Sequence, residues 1–211
     1  MVRKILLGCG IVSSVLYIVT DVLGTLRYPG YSYADQEFSE LTAEGAPTRP
    51  LMVALNGITY TLLVTAFGVG VWTSASPKRA ARITGAMLFG YAASGTVTGV
   101  IFPMSTREVL AAGEATLRNT MHIPATAVMS LFIVLAMGFG ATLLGKRVRY
   151  YSYGTIAILL VFGALTSLQG GRIATNEPTP WAGIEERMNS YGIMLWVAVL
   201  AVGLLRGQEA C

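Results

Sequence analysis

Apolar residues fall into six long runs, separated by short polar segments. The runs span approximately 5–24, 51–73, 81–104, 120–145, 153–170 and 187–205. A helix of roughly 20 apolar residues crosses a hydrocarbon core of about 30 Å, and lipid offers no hydrogen-bond partner to an unpaired backbone amide. The pattern therefore predicts an all-α membrane protein, a single domain over residues 1–211 built as a six-helix transmembrane bundle.

Composition supports this class. The 211 residues are 54% hydrophobic and 12% charged, and a mean hydropathy of +0.60 is typical of membrane proteins. The first run follows Arg3 and Lys4 and could be a secretory signal, but it contains Asp21, is long for such a signal and precedes no Ala-x-Ala-like cleavage site. We interpret it as the first membrane helix.

Basic residues collect on alternate sides of the predicted membrane. The N-terminus, the second and fourth connections and the C-terminus hold 9 Lys or Arg and one acid, whereas the other three connections hold 6 Arg and 9 acids. The positive-inside rule then predicts cytoplasmic termini in a multi-pass protein of the inner (plasma) membrane. The net charge of +4 arises from these juxtamembrane clusters, which suit anionic lipid, so no nucleic-acid partner is expected.

Thiolate and imidazole ligands are scarce in this chain. Cys9 and Cys211 both fall on the predicted cytoplasmic side, where no disulfide is expected. With these two cysteines and one histidine, the chain lacks the ligands of a structural zinc site. We predict no metal and no cofactor.

The three predicted outer connections carry signals for short helices. Start signals are Ser32 with Asp35, Ser105 with Glu108, and Thr179 with Pro180; Gly45 and Gly113 are stop signals. In the first connection Ala34, Phe38 and Leu41 share one helical face, which predicts an amphipathic helix on the bundle surface. Such loops are either ordered connections or a lid over something that binds from outside.

Polar residues of the runs fall mainly in their predicted outer halves, whereas the inner halves are mostly apolar. This one-sided polarity favours a pocket for a membrane lipid or small amphiphile, open to the outer leaflet, over a small transporter, whose path needs polar lining beyond the midplane. The candidate ligand-binding residues are Tyr17, Asp21, Asn56, Tyr60, Ser94, His122, Gln169 and Arg187.

Three of these residues, Asp21, His122 and Arg187, can carry a charge near neutral pH. A charge at a helix centre costs roughly 2.5–3.5 kcal/mol, so each should face protein or water and find a partner. We predict an ion pair between Asp21 and Arg187 with His122 close by. An alternative is an intramembrane hydrolase or transferase that uses His122 with Asp21 and a serine, which could be Ser94, Ser105 or Ser167, although no Gly-x-Ser-x-Gly elbow is present. The simpler interpretation of His122 is a hydrogen-bonded residue at a helix start.

Small residues recur at four-residue spacing in the third run, at Gly90, Ser94 and Thr98. Such a face lets helices approach closely. We interpret it as a packing surface within the bundle, and Gly- and Ser-rich faces also allow a homo-oligomer.

Several segments together resemble a bacterial membrane family known as domain of unknown function 998. They are "RYPGYSYADQEFSELTAEGAP", "IFPM", "MHIPA" and "GIEERMNSYGIMLW". The resemblance implies a six-helix membrane protein without an established activity, with recurrent polar positions at Ser39, His122, Glu186 and Arg187. Many members have an acid after the Phe-Pro of the third helix, where this chain has Met104 and Ser105.

Overall fold

The computed structural model describes residues 1–74 and 78–207, apart from the side chain of Lys78. The predicted cytoplasmic Cys211 lies outside the described residues. Within them the chain forms seven α-helices and no strand: α1 (Val2–Arg27), α2 (Arg49–Trp72, a π-helix over Val53–Tyr60), α3 (Lys78–Thr96, continued by a π-helical turn over Val97–Ile101), α4 (Arg107–Ala111), α5 (Leu117–Gly140), α6 (Gly145–Ala174) and α7 (Ala182–Gly207). The predicted all-α class is confirmed.

Five of these helices, α1, α2, α5, α6 and α7, are long and apolar enough to cross a membrane. The chain is therefore a multi-pass helical membrane protein. The third predicted run is helical as expected, but α3 is not among the five, since it opens on basic residues and is rich in Gly, Ser and Thr. The sixth span remains a prediction.

Helix packing defines the order of the bundle. α1 packs between α2 and α7, α3 packs between α2 and α5, and α6 packs on α7. Contacts between α5 and α6 are fewer, so this seam closes the bundle least completely. We call the end that carries connections 28–48, 102–116 and 175–181 the long-loop end, and the opposite end the short-turn end.

At the short-turn end, α5, α6 and α7 meet around Trp196. Its indole N–H donates to Ser152 Oγ at 2.9 Å, and a Cβ atom added to Gly140 would lie 2.7 Å from the Trp196 ring. A Cβ atom at Gly90 would overlap the ring of Phe132, which confirms close packing through the small-residue face of α3. This end is stabilised by tight contact between helices.

The long-loop halves of α5 and α6 are packed differently. The buried residues of α5 all lie between Ile133 and Gly140, and none of the residues 117–132 is buried. In α6, Ser152, Thr155 and Leu159 are buried, and then none until Ile173. The two helices are therefore buried at the short-turn end, whereas their long-loop halves are only partly covered on both sides of the seam.

The loop helices differ from the prediction. In the first connection, the helix is a five-residue 3₁₀ helix, Phe38–Thr42, capped by Glu37 rather than by Ser32. Because Phe38, Glu40 and Leu41 are all buried, this segment docks into the bundle and does not lie on its surface. The predicted amphipathic surface helix is therefore wrong.

The two other start signals are also displaced. Thr106, not Ser105, precedes α4, and the Ser105 amide donates to Asn119 Oδ1 at 2.8 Å instead of to the predicted Glu108. Gly113 does end the α4 segment, with φ of +77°. Thr179 caps no helix: α7 begins at Ala182, and the Thr179 hydroxyl donates to the Asp35 carbonyl at 2.7 Å.

Candidate functional site

A buried ion pair joins α1 to α7 at the long-loop end. Arg187 Nε donates to Asp21 Oδ2 at 2.9 Å, and its Nη2 donates to Asp21 Oδ1 at 2.8 Å. Asp21 is 0% exposed and Arg187 is 3% exposed. This two-point geometry matches the planar guanidinium to both carboxylate oxygens, and it confirms the predicted pairing.

The remaining hydrogen-bond donors of Arg187 are also satisfied. Arg187 Nη1 donates to the Tyr33 carbonyl at 2.8 Å and to the Gln36 carbonyl at 3.1 Å, and Nη2 donates to the Tyr31 hydroxyl at 2.8 Å. The guanidinium also lies 3.8 Å from the centre of the Tyr33 ring. We call the whole of connection 28–48 the loop cap. One arginine thus binds three of its residues.

Gly183 allows the loop cap to approach α7. A Cβ atom at this position would overlap the carbonyl oxygens of Gln36 and Tyr33 and lie 2.9 Å from Arg187 Nη1. Only glycine leaves room for these oxygens to reach the guanidinium. No motif or spacing in the chain had pointed to this role of Gly183.

A second buried ion pair joins the three long loops, and sequence reasoning missed it. Arg107 Nε donates to Glu40 Oε2 at 2.8 Å and its Nη2 to Glu40 Oε1 at 2.6 Å. Arg107 also donates to Thr179 Oγ1 at 2.8 Å and to the Glu177 carbonyl at 3.2 Å. Burial alone lowers the pKa of Arg107, but the hydrogen bonds and charge of Glu40 raise it overall, so Arg107 keeps its positive charge.

Two further carboxylates meet at Ser39, between these ion pairs. The Ser39 amide donates to Glu186 Oε2 at 3.2 Å, and its hydroxyl donates to Glu37 Oε2 at 3.0 Å. Burial, and next the Glu186 carboxylate, raise the pKa of Glu37 well above its ordinary value. Two of the positions implied by the family resemblance, Ser39 and Glu186, are therefore in direct contact.

Aromatic rings lie beneath the loop cap. Tyr17 stacks on Phe38 with ring centres 4.7 Å apart and meets Tyr60 edge-on at 5.6 Å. The Tyr60 and Tyr91 hydroxyls are 3.1 Å apart. Two of the predicted ligand-binding residues, Tyr17 and Tyr60, are thus neighbours and are buried.

His122 lies apart from the Asp21–Arg187 pair, and the predicted closeness is wrong. It projects from α5, which packs on α3 rather than on α1, and its Nδ1 atom lies 2.8 Å from the Phe102 carbonyl. Charge and depth do not fix which helices are neighbours. The simpler interpretation, a hydrogen-bonded residue at a helix start, is confirmed.

Two of the three candidate serines donate to backbone carbonyls, and the third is buried. Ser94 donates to the Gly90 carbonyl at 2.6 Å and Ser167 to the Gly163 carbonyl at 2.7 Å, while Ser105 is 3% exposed. Asp21 accepts from Arg187 and Tyr191. Among the hydrogen bonds of the described residues, none links a serine, His122 and Asp21.

The last two predicted ligand-binding residues, Asn56 and Gln169, lie on two other helices. The Asn56 amide nitrogen lies in the π-helical part of α2 and has no hydrogen-bond partner among the described residues. Gln169 Nε2 on α6 lies 3.5 Å from Glu185 Oε2 on α7. The eight predicted residues thus form one group beneath the loop cap, Tyr17, Asp21, Tyr60 and Arg187, and four dispersed positions.

An open depression of about 510 Å³ lies among the loops. It is lined by Asp35, Gln36, Arg107, Glu108, Asn176, Glu177, Pro178, Thr179 and Pro180. None of the eight predicted ligand-binding residues contributes to it. In the described parts of the chain, no three His, Cys, Asp or Glu side chains are grouped to hold a metal ion.

Comparison with known proteins identifies the family but no activity. No curated protein and no solved structure matches the chain. One family matches residues 11–203, nearly the whole bundle, including both buried ion pairs and the loop cap. The chain belongs to this family, which is described as a protein of unknown function (DUF998).

Proposed function

We propose that the protein binds a membrane lipid or small amphiphile in the seam between the long-loop halves of α5 and α6, beside the loop cap. The same proposal holds that α3 is the sixth span, that the termini are cytoplasmic and that the long-loop end faces outward from a bacterial inner membrane. The observation that carries it is the one-ended burial of α5 and α6, since none of the residues 117–132 and 160–172 is buried.

The long-loop halves of α5 and α6, on either side of the seam, offer apolar surface of the kind that an acyl chain covers. Ile123 and Leu131 of α5 are 72% and 58% exposed, and Leu160 and Leu168 of α6 are 63% and 78% exposed. Exposed apolar surface in a membrane helix is favourable against hydrocarbon. A chain lying in the seam would therefore lose nothing by leaving bulk lipid and would gain contact with two helices.

Polar groups at the long-loop end give the site a place for a headgroup. Gln169 and Glu185 are partly exposed, and their 3.5 Å separation is too long for a strong mutual hydrogen bond. Their amide and carboxylate can therefore bind a polar headgroup. An amphiphile bound in this way places its polar end near the loops and its chain toward the short-turn end.

Photocrosslinking in native membranes tests this proposal. A photoreactive phenylalanine analogue is placed at Ile123 or Leu165 in the seam, and at Phe139 or Tyr153 on the same two helices near the short-turn end. All four side chains are exposed. We expect a specific amphiphile to be enriched in adducts at the two seam positions, while the two control positions report bulk lipid composition.

The outcome separates the competing functions. Adducts that reflect bulk lipid at all four positions would exclude a selective seam site. A Gln169→Leu variant should lower the enrichment at Ile123 while leaving the Phe139 adducts unchanged. Release of a cleaved product from the crosslinked or copurified lipid, abolished by His122→Ala, would instead favour the hydrolase or transferase.

A further inference from the structure

Glu37 and Glu186 approach Ser39 from two different parts of the molecule. Glu37 belongs to the loop cap and caps the 3₁₀ helix Phe38–Thr42, whereas Glu186 belongs to α7. Ser39 donates its hydroxyl to the first and its amide to the second, at 3.0 and 3.2 Å. The junction between loop cap and α7 thus contains two carboxylates joined through one serine.

The charges around this junction do not balance. Four carboxylates lie there, Asp21, Glu37, Glu40 and Glu186, against the two guanidiniums of Arg107 and Arg187. Each guanidinium makes its two-point contact with another carboxylate: Arg187 with Asp21 and Arg107 with Glu40. Within residues 1–74 and 78–207, no cation is paired with Glu37 or Glu186 in this way.

The other titratable groups that face the two carboxylates do not supply one. Tyr17 of α1 and Tyr31 of the loop cap both face Glu186 and are phenols, and burial is the largest of the causes that raise the pKa of Tyr31. Glu40 adds a further negative charge. The positive charges of Arg107 and Arg187 are felt by Glu37 and Glu186, but each arginine is already paired with another carboxylate. Neighbouring carboxylates in such surroundings favour retention of a proton.

We propose that Glu37 and Glu186 form a proton-sensitive latch, which holds the loop cap on α7 while the two carboxyls retain a proton and loosens it when both are ionised. A carboxyl that binds its proton more tightly in the closed state contributes stability below its open-state pKa. That contribution is lost as pH rises through the closed-state value. The raised pKa of Glu37 has this sign, so alkaline pH opens the latch.

Loosening at Ser39 would act first on the 3₁₀ helix that carries it. Phe38, next to Ser39, stacks on Tyr17, so movement of this turn uncovers the aromatic group beneath the loop cap. The Tyr33 and Gln36 carbonyls stay bound to Arg187, which limits the opening to the second half of the loop cap. The latch does not depend on an amphiphile in the α5–α6 seam.

Thiol accessibility measures this opening directly. Cys9 and Cys211 are changed to serine, and a single cysteine is introduced by Ala43→Cys, at a position only 1% exposed at the end of the 3₁₀ helix. Ala112→Cys, in an exposed loop, corrects for the pH dependence of thiol labelling. The ratio of the two labelling rates is followed from about pH 5 to about pH 9 with a membrane-impermeant maleimide.

We expect the ratio to rise with pH by up to about tenfold per unit, as the linkage of one proton to opening requires. Glu186→Gln and Glu37→Gln should each flatten the profile and keep the ratio low, because a neutral amide removes the repulsion. Glu185→Gln is the matched control, since Glu185 contacts Gln169 instead of the loop cap. It should retain the pH profile of the protein in which Glu37 and Glu186 are unchanged.

Two results would overturn the latch. One is a ratio that does not change with pH when both carboxylates are present. The other is a rise of the same size in the two glutamine variants. If Glu186→Gln fails to fold within its membrane helix, Glu37→Gln in the loop cap decides the question alone.

Discussion

The two ends of the bundle are stabilised by different physical means. At the short-turn end, Gly140 and Ser152 contact Trp196 and bring α5, α6 and α7 together. At the long-loop end, Asp21 and Arg187 join α1, α7 and the loop cap through charge-assisted hydrogen bonds. The first end depends on shape and the second on complete pairing of buried polar groups, so the two ends should respond differently to substitution.

The largest effect should follow removal of Arg187. Arg187→Met would leave the Asp21 carboxylate buried without its cation, which typically costs about 3–5 kcal/mol. We expect loss of folded protein in detergent thermal unfolding and in membrane expression. Asp21→Asn added to Arg187→Met should recover part of the loss, because the uncompensated charge is then gone.

The charge swap Asp21→Arg with Arg187→Asp gives a second check of the same pair. Recovery of expression relative to either single variant is expected from direct pairing. A swapped protein no better than the worse single variant would show that the loop cap carbonyls, which need a guanidinium on α7, dominate instead.

A smaller loss is expected when the loop cap is pushed from α7. Gly183→Ala places a methyl group against the Tyr33 and Gln36 carbonyls, and such overpacking costs about 1–3 kcal/mol. The matched control is Gly170→Ala in α6, where a Cβ atom meets nothing within 4 Å. The unfolding temperature should fall for Gly183→Ala and stay level for Gly170→Ala. Equal unfolding temperatures would mean that the loop cap is not closely held.

Parts of this arrangement were predictable because they depend on depth and polarity alone. Apolar runs of membrane length indicated the long helices, and the cost of a buried charge indicated that Asp21 and Arg187 need partners. Both lie near the same end of antiparallel neighbours, which made their pairing the simplest solution. The structure confirms it.

Other parts depend on which surfaces meet, and a single sequence does not carry that information. Nothing in the spacing of Glu40 marks it as buried, but Arg107 from a different loop covers it. His122 has the expected depth, yet α5 packs on α3 and not on α1. Loop pairing and helix order are tertiary facts that periodicity does not encode.

At the short-turn end, Ser152→Ala should have a moderate effect. The variant leaves the Trp196 indole N–H, which donates to Ser152 at 2.9 Å, without its acceptor. An unpaired buried donor costs about 1–3 kcal/mol. Tryptophan fluorescence should also shift for this variant, and Ser152→Thr, which keeps the hydroxyl, should retain most of the stability; a loss as large as that of alanine would point to packing rather than the hydrogen bond.

The smallest effect should come from the exposed ion pair at the long-loop end. Arg118 Nη1 lies 3.2 Å from Glu44 Oε1, with the two side chains 55% and 45% exposed, and such pairs contribute about 0–1 kcal/mol because water and salt screen them. Arg118→Met should leave the unfolding temperature nearly unchanged, whereas the same substitution at Arg187 should not. Since both arginines pair with a carboxylate near the same end, the contrast isolates burial as the cause. A large loss at Arg118 would show that surface charges also hold the loops, and the stability of the long-loop end would then not rest on its buried pairs alone.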